Sequence, residues 1–336
     1  MNKELSIKIK NISLILTILV VLAHAYNLES KNYMGNITVN TFTQKFLSYG
    51  VSTIAVPIFF IISGYLFFSK FESTVKNWLE KYKRRFKSLV VPFILWCVGW
   101  MLILYVIQLT SFGKDFFKNM IVSNFTLDEL FKYTFKYPIP FQLWYIYELM
   151  KIVVISPVIY YCIRIISKAS CPTLILLWIL GYMEYPIVFF GIGSYLAINE
   201  VQIDKRIDKK YIVILGAVFF IALLFKTKLS YSEKEVEILS KIVIVFGILL
   251  IWYWYDRFNI NYTFNIAKYS IFIYFFHEPL QSFIYRVAFK VIERNQITEF
   301  ILYILVPIIV ILISIETAIV LKKYFKNLYY VLTGGR

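Results

Sequence analysis

Two histidines occur in the 336-residue chain, His24 and His277, and both lie in oily runs, "LTILVVLAHAYN" and "YSIFIYFFHEPL". Imidazole takes and returns a proton near neutral pH, so a pair of them could serve proton transfer. A carboxylate in a third oily run, Glu148 of "PIPFQLWYIYELMK", could complete such a group. A carboxylate beside an imidazole orients a general base and stabilises its protonated form. Blander roles compete. Each imidazole could be a buried polar residue bonded to a backbone carbonyl, and Glu148 could pair with Lys151 three residues along its helix. Two histidines and a carboxylate could also hold a metal, but no H-E-x-x-H or comparable ligand spacing is present, and no metal is expected.

The surroundings of these residues are those of a membrane protein. Hydrophobic residues make up 60% of the chain and charged residues only 17%, against about 25% charged in soluble domains. The content of 27 Tyr, 31 Phe and 7 Trp excludes a disordered chain. The net charge of +16 is spread between the oily runs and accompanies no nucleic-acid motif, so the expected partner is the bilayer and not nucleic acid. Three scattered cysteines, Cys97, Cys162 and Cys171, give neither a disulfide framework nor a zinc spacing and read as packing residues.

A spanning helix needs about 20 mostly apolar residues. Ten segments are expected to form such helices: Ile9–Leu28, Val51–Phe68, Ser88–Leu109, Gln142–Ile166, Thr173–Met183, Tyr185–Ile198, Tyr211–Phe225, Val236–Tyr255, Phe264–Ala288 and Ile297–Leu321. The fifth and sixth are short and read as a hairpin or a partly re-entrant pair. The expected fold is all-α, a polytopic membrane protein with about ten helices in a single domain over residues 1–336. The aromatic-rich segment Thr110–Phe141 is expected on the membrane surface or over a cavity. With the N-terminus inside, Lys and Arg number 21 on the inner side and 12 on the outer, and three lie within helices. That bias predicts a plasma-membrane protein with both termini cytoplasmic. Ala23-His24-Ala25 imitates a signal-peptidase site, but removing the first helix would invert this orientation, so the helix is expected to be retained.

This topology places His24 about 22 Å and His277 about 20 Å from the inner ends of two helices running the same way. Glu148 lies about 9 Å below the outer boundary, close to the depth of His24. Ionisable groups at such depth usually face a cavity or a partner. The basic run "KYKRRFKSLVVPF" follows the positive-inside rule at Lys81, Lys83 and Lys87. Arg84 and Arg85 adjoin the apolar run, where their guanidinium forks suit the phosphates of a cytoplasmic donor. Pro92 would open the next helix locally. Ser63, Gly64, Tyr65, Gln142 and Trp144 are candidates for lining a substrate cavity. Ser63-Gly64, and likewise "FFGIGSYLA", could equally be helix-packing positions. "WYWYDR" reads as an aromatic belt.

In order along the chain, the first helix ending in His24, "FFIISGYLF", "RRFKSLVVPF", "QLWYIYEL", "FFGIGSYLA" and "YSIFIYFFHEPL" resemble the membrane acyltransferase-3 family. The resemblance covers nearly the whole chain and rests on the set, since each motif alone is weak. It implies transfer of an acyl group, usually acetyl from acetyl-CoA, to a hydroxyl or amino group of a carbohydrate acceptor, here a surface or capsular polysaccharide or its lipid-linked precursor. It implies that His24 is the base or acyl relay, that Arg84 and Arg85 contact the donor, and that Leu143-Trp144-Tyr145, His277 and Pro279 are family motif positions. Two positions depart from the pattern. Ser13 stands where the family has an arginine, with Lys8 and Lys10 just upstream, and Gln142 stands where it commonly has a histidine. The competing expectations are a transporter, flippase or polysaccharide polymerase, or an inactive acyltransferase relative. No internal repeat supports a transporter. The Thr110–Phe141 loop, with four Lys and no Arg, is poor in the basic residues expected of a polymerase.

Overall fold

The computed structural model describes residues 3–28, 37–117, 121–203, 207–228 and 233–335, and among them every regular element is helical. The opening helix, α1 (Lys3–Ala23), buries one apolar stripe from Leu5 to Val21. A short helix, α2 (Val39–Gln44), is capped by Thr38 and runs through two distorted turns into α3 (Ala55–Phe68). The amphipathic α4 (Val75–Arg85) continues into α5 (Val91–Ile107) through a widened π-turn, Phe86–Val90. That turn lies directly ahead of Pro92, whose missing N–H leaves the preceding carbonyls without their usual α-helical donor. The segment from Thr110 to Phe141 holds two short helices, α6 (Ser111–Phe116) and α7 (Leu127–Phe131); residues 118–120 of it lie outside the described residues.

Then follow α8 (Trp144–Val154), α9 (Ser156–Ile166), α10 (Ser170–Ile179), α11 (Tyr185–Ile198), α12 (Lys209–Lys228), α13 (Glu233–Tyr255), α14 (Ser270–Val291), α15 (Gln296–Tyr324) and α16 (Lys326–Leu332). Among the described residues seven helical stretches, not ten, are long and apolar enough to cross a membrane. The expected fourth span breaks at Ile155, ahead of Pro157, into two 11-residue helices; each is about 17 Å long, roughly half the hydrocarbon thickness. The expected fifth span joins α9 into one stretch, Ser156–Ile179, and the sixth, α11, has only 14 residues. The ninth, α14, is long enough but carries His277, Glu278, Gln281, Arg286 and Lys290. Those polar side chains lower its hydropathy, and His277 and Gln281 among them are buried within the bundle.

Two contacts organise the bundle around the histidines. Gly64 of α3 lies against the Phe190 carbonyl of α11, and Gly193 of α11 against the Ile61 carbonyl of α3. A Cβ at either position would collide with backbone, so the two helices touch only because both residues are glycine. On the other side, Trp96 of α5 stacks on Phe275 of α14 with centroids 5.7 Å apart and planes 6° apart. Its indole N–H donates to the Leu332 carbonyl at 3.0 Å.

The other end of α1 is clamped by polar bonds. Buried Lys8 pairs with Asp256 at 2.8 Å and lies 4.0 Å over the Trp252 ring. Asn11 donates to the Tyr255 hydroxyl at 2.8 Å and the Tyr262 carbonyl at 2.9 Å, and accepts from the Phe264 N–H at 2.9 Å. "WYWYDR" is therefore more than an aromatic belt: three of its residues seize α1. Cys97 is buried, whereas Cys162 faces outward and does not pack the core.

Candidate active site

The last turn of α1 delivers His24. Its N–H still bonds the Val20 carbonyl at 3.2 Å, after which the chain tightens and leaves the helix. Three residues on, Asn27 is fixed. It exchanges two amide hydrogen bonds with Gln44 of α2, at 3.0 and 2.9 Å, and donates to the Glu299 carbonyl at 3.0 Å. The Asn27 carbonyl accepts from the Arg294 guanidinium, which also pairs with the fully buried Glu299 carboxylate at 2.9 Å. His24 thus sits on a short span held at both ends. The sequence signal for this clamp was available: isolated polar residues in or beside apolar runs.

His277 comes from the middle of α14 and is fully buried. Its Nδ1 lies 2.8 Å from the Tyr274 carbonyl and 3.1 Å from that of Ile273. Carbonyls only accept, so Nδ1 carries a proton, and in the neutral ring Nε2 then holds the lone pair. Nε2 has no hydrogen-bond partner among the described residues. The His24 and His277 rings lie with centroids 5.3 Å apart and planes 52° apart. The plainer expectation for His277 is met: the ring is buried and bonded to backbone carbonyls of its own helix.

Pro279 explains a third member. A residue with an N–H at 279 would donate to the Phe275 carbonyl; proline cannot. The side-chain amide of Gln142 takes that carbonyl at 2.9 Å. The Tyr274 hydroxyl in turn donates to the Gln142 carbonyl at 2.5 Å. Phe141, one residue before, sets its ring edge-on to His24 with centroids 6.0 Å apart, and its backbone N–H interacts electrostatically with the Glu278 carboxylate. Glu278 also accepts from Ser282 at 2.8 Å.

Residues 12–316 match the family described as acyltransferase domain. The chain belongs to the membrane acyltransferase-3 family. It is thus a multi-pass membrane acyltransferase. It is also similar to the succinoglycan biosynthesis protein ExoH of Rhizobium meliloti (strain 1021), with 22% identity over 361 aligned positions covering 100% of this chain and 94% of that protein. No solved structure matches.

The remaining candidates of this acyltransferase fall into separate places. Ser63 and the Tyr145 hydroxyl lie 3.0 Å apart, and Tyr145 packs 5.9 Å from Tyr274, which links them to the histidine group. Gly64 is buried against α11, so it packs helices and does not line a cavity. Tyr65 lies in the wall of a cavity of about 310 Å3 enclosed by Ile58, Trp178, Phe189, Val245 and Trp252, which neither imidazole lines. Trp144 packs its ring 6.4 Å from Tyr185. Glu148 forms the local ion pair with Lys151 at 2.6 Å. Two carboxyl-bearing or amide side chains that the sequence reading passed over, Glu278 and Gln281, lie on the same helix as His277 instead.

The basic face is divided too. Arg84 is 76% exposed and meets Glu80 at 3.4 Å. Arg85 stacks 5.4 Å over Phe67, and Lys81 donates to the Phe67 carbonyl. Lys81 therefore caps the end of α3 in addition to carrying inner-face charge. Ser13 bonds the Ile9 carbonyl of its own helix at 2.7 Å, and Lys8 is committed to Asp256. Among the described residues no group of three His, Cys, Asp or Glu side chains could hold a metal ion.

Proposed function

We propose that this acyltransferase moves an acetyl group from acetyl-CoA to a hydroxyl of a surface polysaccharide or its lipid-linked precursor. The observation that carries the reading is the His24–His277 pair, with the tautomer of His277 fixed by α14. His24 is half-buried and can meet a substrate, whereas His277 is fully buried. His277 offers only a lone pair on Nε2. A proton on the facing nitrogen of His24 would be drawn to it, leaving the other His24 nitrogen as the base.

The transfer then balances simply. His24 takes the proton of the acceptor hydroxyl as its oxygen attacks the thioester carbonyl. The C–O ester bond forms, the C–S bond breaks, and the coenzyme A thiolate receives the proton from His24. Ser63 and Trp144 are proposed as donors to the transient oxyanion. Arg84 and Arg85 are proposed as contacts for the donor phosphates: the exposed guanidinium of Arg84, held by a long surface ion pair to Glu80, suits that task. The Lys and Arg bias that predicts cytoplasmic termini supports these arginines facing the side where acetyl-CoA is made. The polysaccharide acceptor is supported by the similarity to the succinoglycan biosynthesis protein ExoH.

The test is acceptor-dependent release of coenzyme A by the purified full-length protein in lipid nanodiscs, alongside mass spectrometry of cell-surface glycans with and without the gene. The expected result is thiol release that needs a hydroxyl acceptor, and loss of one acetyl mass from a glycan when the gene is deleted. Equal activity in His24→Ala would overturn the mechanism.

A further inference from the structure

Gln142 and Gln281 are each about 1% exposed, and each commits its NH2 group to a backbone carbonyl: Gln142 to Phe275 at 2.9 Å, Gln281 to Val21 at 3.2 Å. Because a carbonyl cannot donate, the assignment of nitrogen and oxygen in both amides is forced. Both Oε1 atoms are left with no hydrogen-bond partner among the described residues. The two residues flank the histidines. Gln281 is one helical turn past His277 on the same face of α14, and its amide reaches α1 one turn before His24. Gln142 is bound to the two residues of α14, Tyr274 and Phe275, that precede His277 by less than a turn.

We propose that Gln142 and Gln281 are specificity-determining residues that accept hydrogen bonds from two hydroxyls of the acceptor adjoining the one that is acylated. The proposal rests on the acyl-transfer reading above. A buried acceptor without a donor favours any ligand that brings one. A group of oxygen and nitrogen lone pairs disfavours carboxylate and phosphate, which bring only more lone pairs, and selects a neutral polyol. A simple monohydric alcohol meets the base but leaves both amide oxygens unpaired. Both amides are held in place: the Gln142 backbone carbonyl accepts from the Tyr274 hydroxyl, and the Gln281 amide donates to the Val21 carbonyl.

The test uses the full-length protein in nanodiscs with acetyl-CoA. The probe acceptors are methyl glucopyranoside and methyl galactopyranoside, each with its monodeoxy analogues. The wild type is expected to use a parent sugar about tenfold or more better, in kcat/KM, than the analogues lacking one particular neighbouring hydroxyl. Gln142→Met and Gln281→Met should each bring that ratio towards one for a single hydroxyl, a different one for each variant. Gln142→Glu and Gln281→Glu keep an oxygen acceptor and, protonated in the buried site, a donor for the carbonyl, so they should restore it. Ratios unchanged in the Met variants, or a wild type that uses all deoxy analogues equally, would overturn the proposal and leave acyl transfer standing. A wild type that acetylates none of the sugars would instead count against the acyl-transfer reading itself. A merely structural role for the glutamines would lower all acceptors together without moving the ratio.

Discussion

The imidazoles of His24 and His277 meet with centroids 5.3 Å apart although 252 positions separate them in the chain. The pair forms where the end of α1 crosses the middle of α14, and only His277 has its protonation pattern dictated by its own helix. Burial as well as residue type thus distinguishes the two rings.

Removing either ring should be costly. His24→Ala and His277→Ala are each expected to lower kcat by about 10²–10⁴-fold, the range for a positioned proton-transfer group. Because the two act as one unit, the double variant should be little worse than the more damaged single one. Single-turnover transfer from labelled acetyl-CoA measures this directly.

Proline at 279 is expected to matter through Gln142. Pro279→Ala restores an N–H that competes for the Phe275 carbonyl, the present partner of the Gln142 amide. The fold should survive, with a melting temperature equal to or above that of the wild type. Activity should fall by roughly 10- to 100-fold through misplacement of Gln142 beside the histidines. A variant that melts lower and keeps full activity would contradict this account.

The Lys8–Asp256 pair is a stability device remote from the histidines. Asp256→Asn leaves a buried ammonium without its counter-charge and should cost about 3–5 kcal/mol. Lys8→Met combined with Asp256→Asn should recover most of that loss. Thermal unfolding in detergent of the two single variants and the double variant gives the coupling.

Helix contact at Gly64 admits no side chain. Gly64→Val should push α3 from α11 at the Phe190 carbonyl and cost about 1–3 kcal/mol or more. The same loss is expected for Gly193→Val at the Ile61 carbonyl. The readout is the fraction of protein eluting as a single species after heating, and an unshifted profile would show that the helices can separate freely.

The apolar runs announced the membrane fold because lipid demands them, and the motif set pointed to the family. Both histidines were also legible, since an ionisable residue in an oily run stands out. Span number was less legible. Pro157 divides an apolar run that composition alone reads as continuous, and α14 trades hydropathy for His277, Glu278 and Gln281. Gly64 shows the same limit from the other side: a small residue beside a serine suits a ligand or a helix equally, and the choice depends on what stands opposite.

Composition, charge bias and ordered motifs by themselves determined that this is a multi-pass helical membrane protein with the marks of an acyltransferase, because hydrophobic length and residue type are local properties of the chain. Tertiary structure alone decided that His24 meets His277, that Glu148 pairs with Lys151, and that Gln142 occupies the carbonyl which Pro279 releases. Those outcomes depend on helix crossings between segments far apart in sequence. Direction, depth and the last free hydrogen-bonding atom are fixed there by packing, not by any neighbour along the chain.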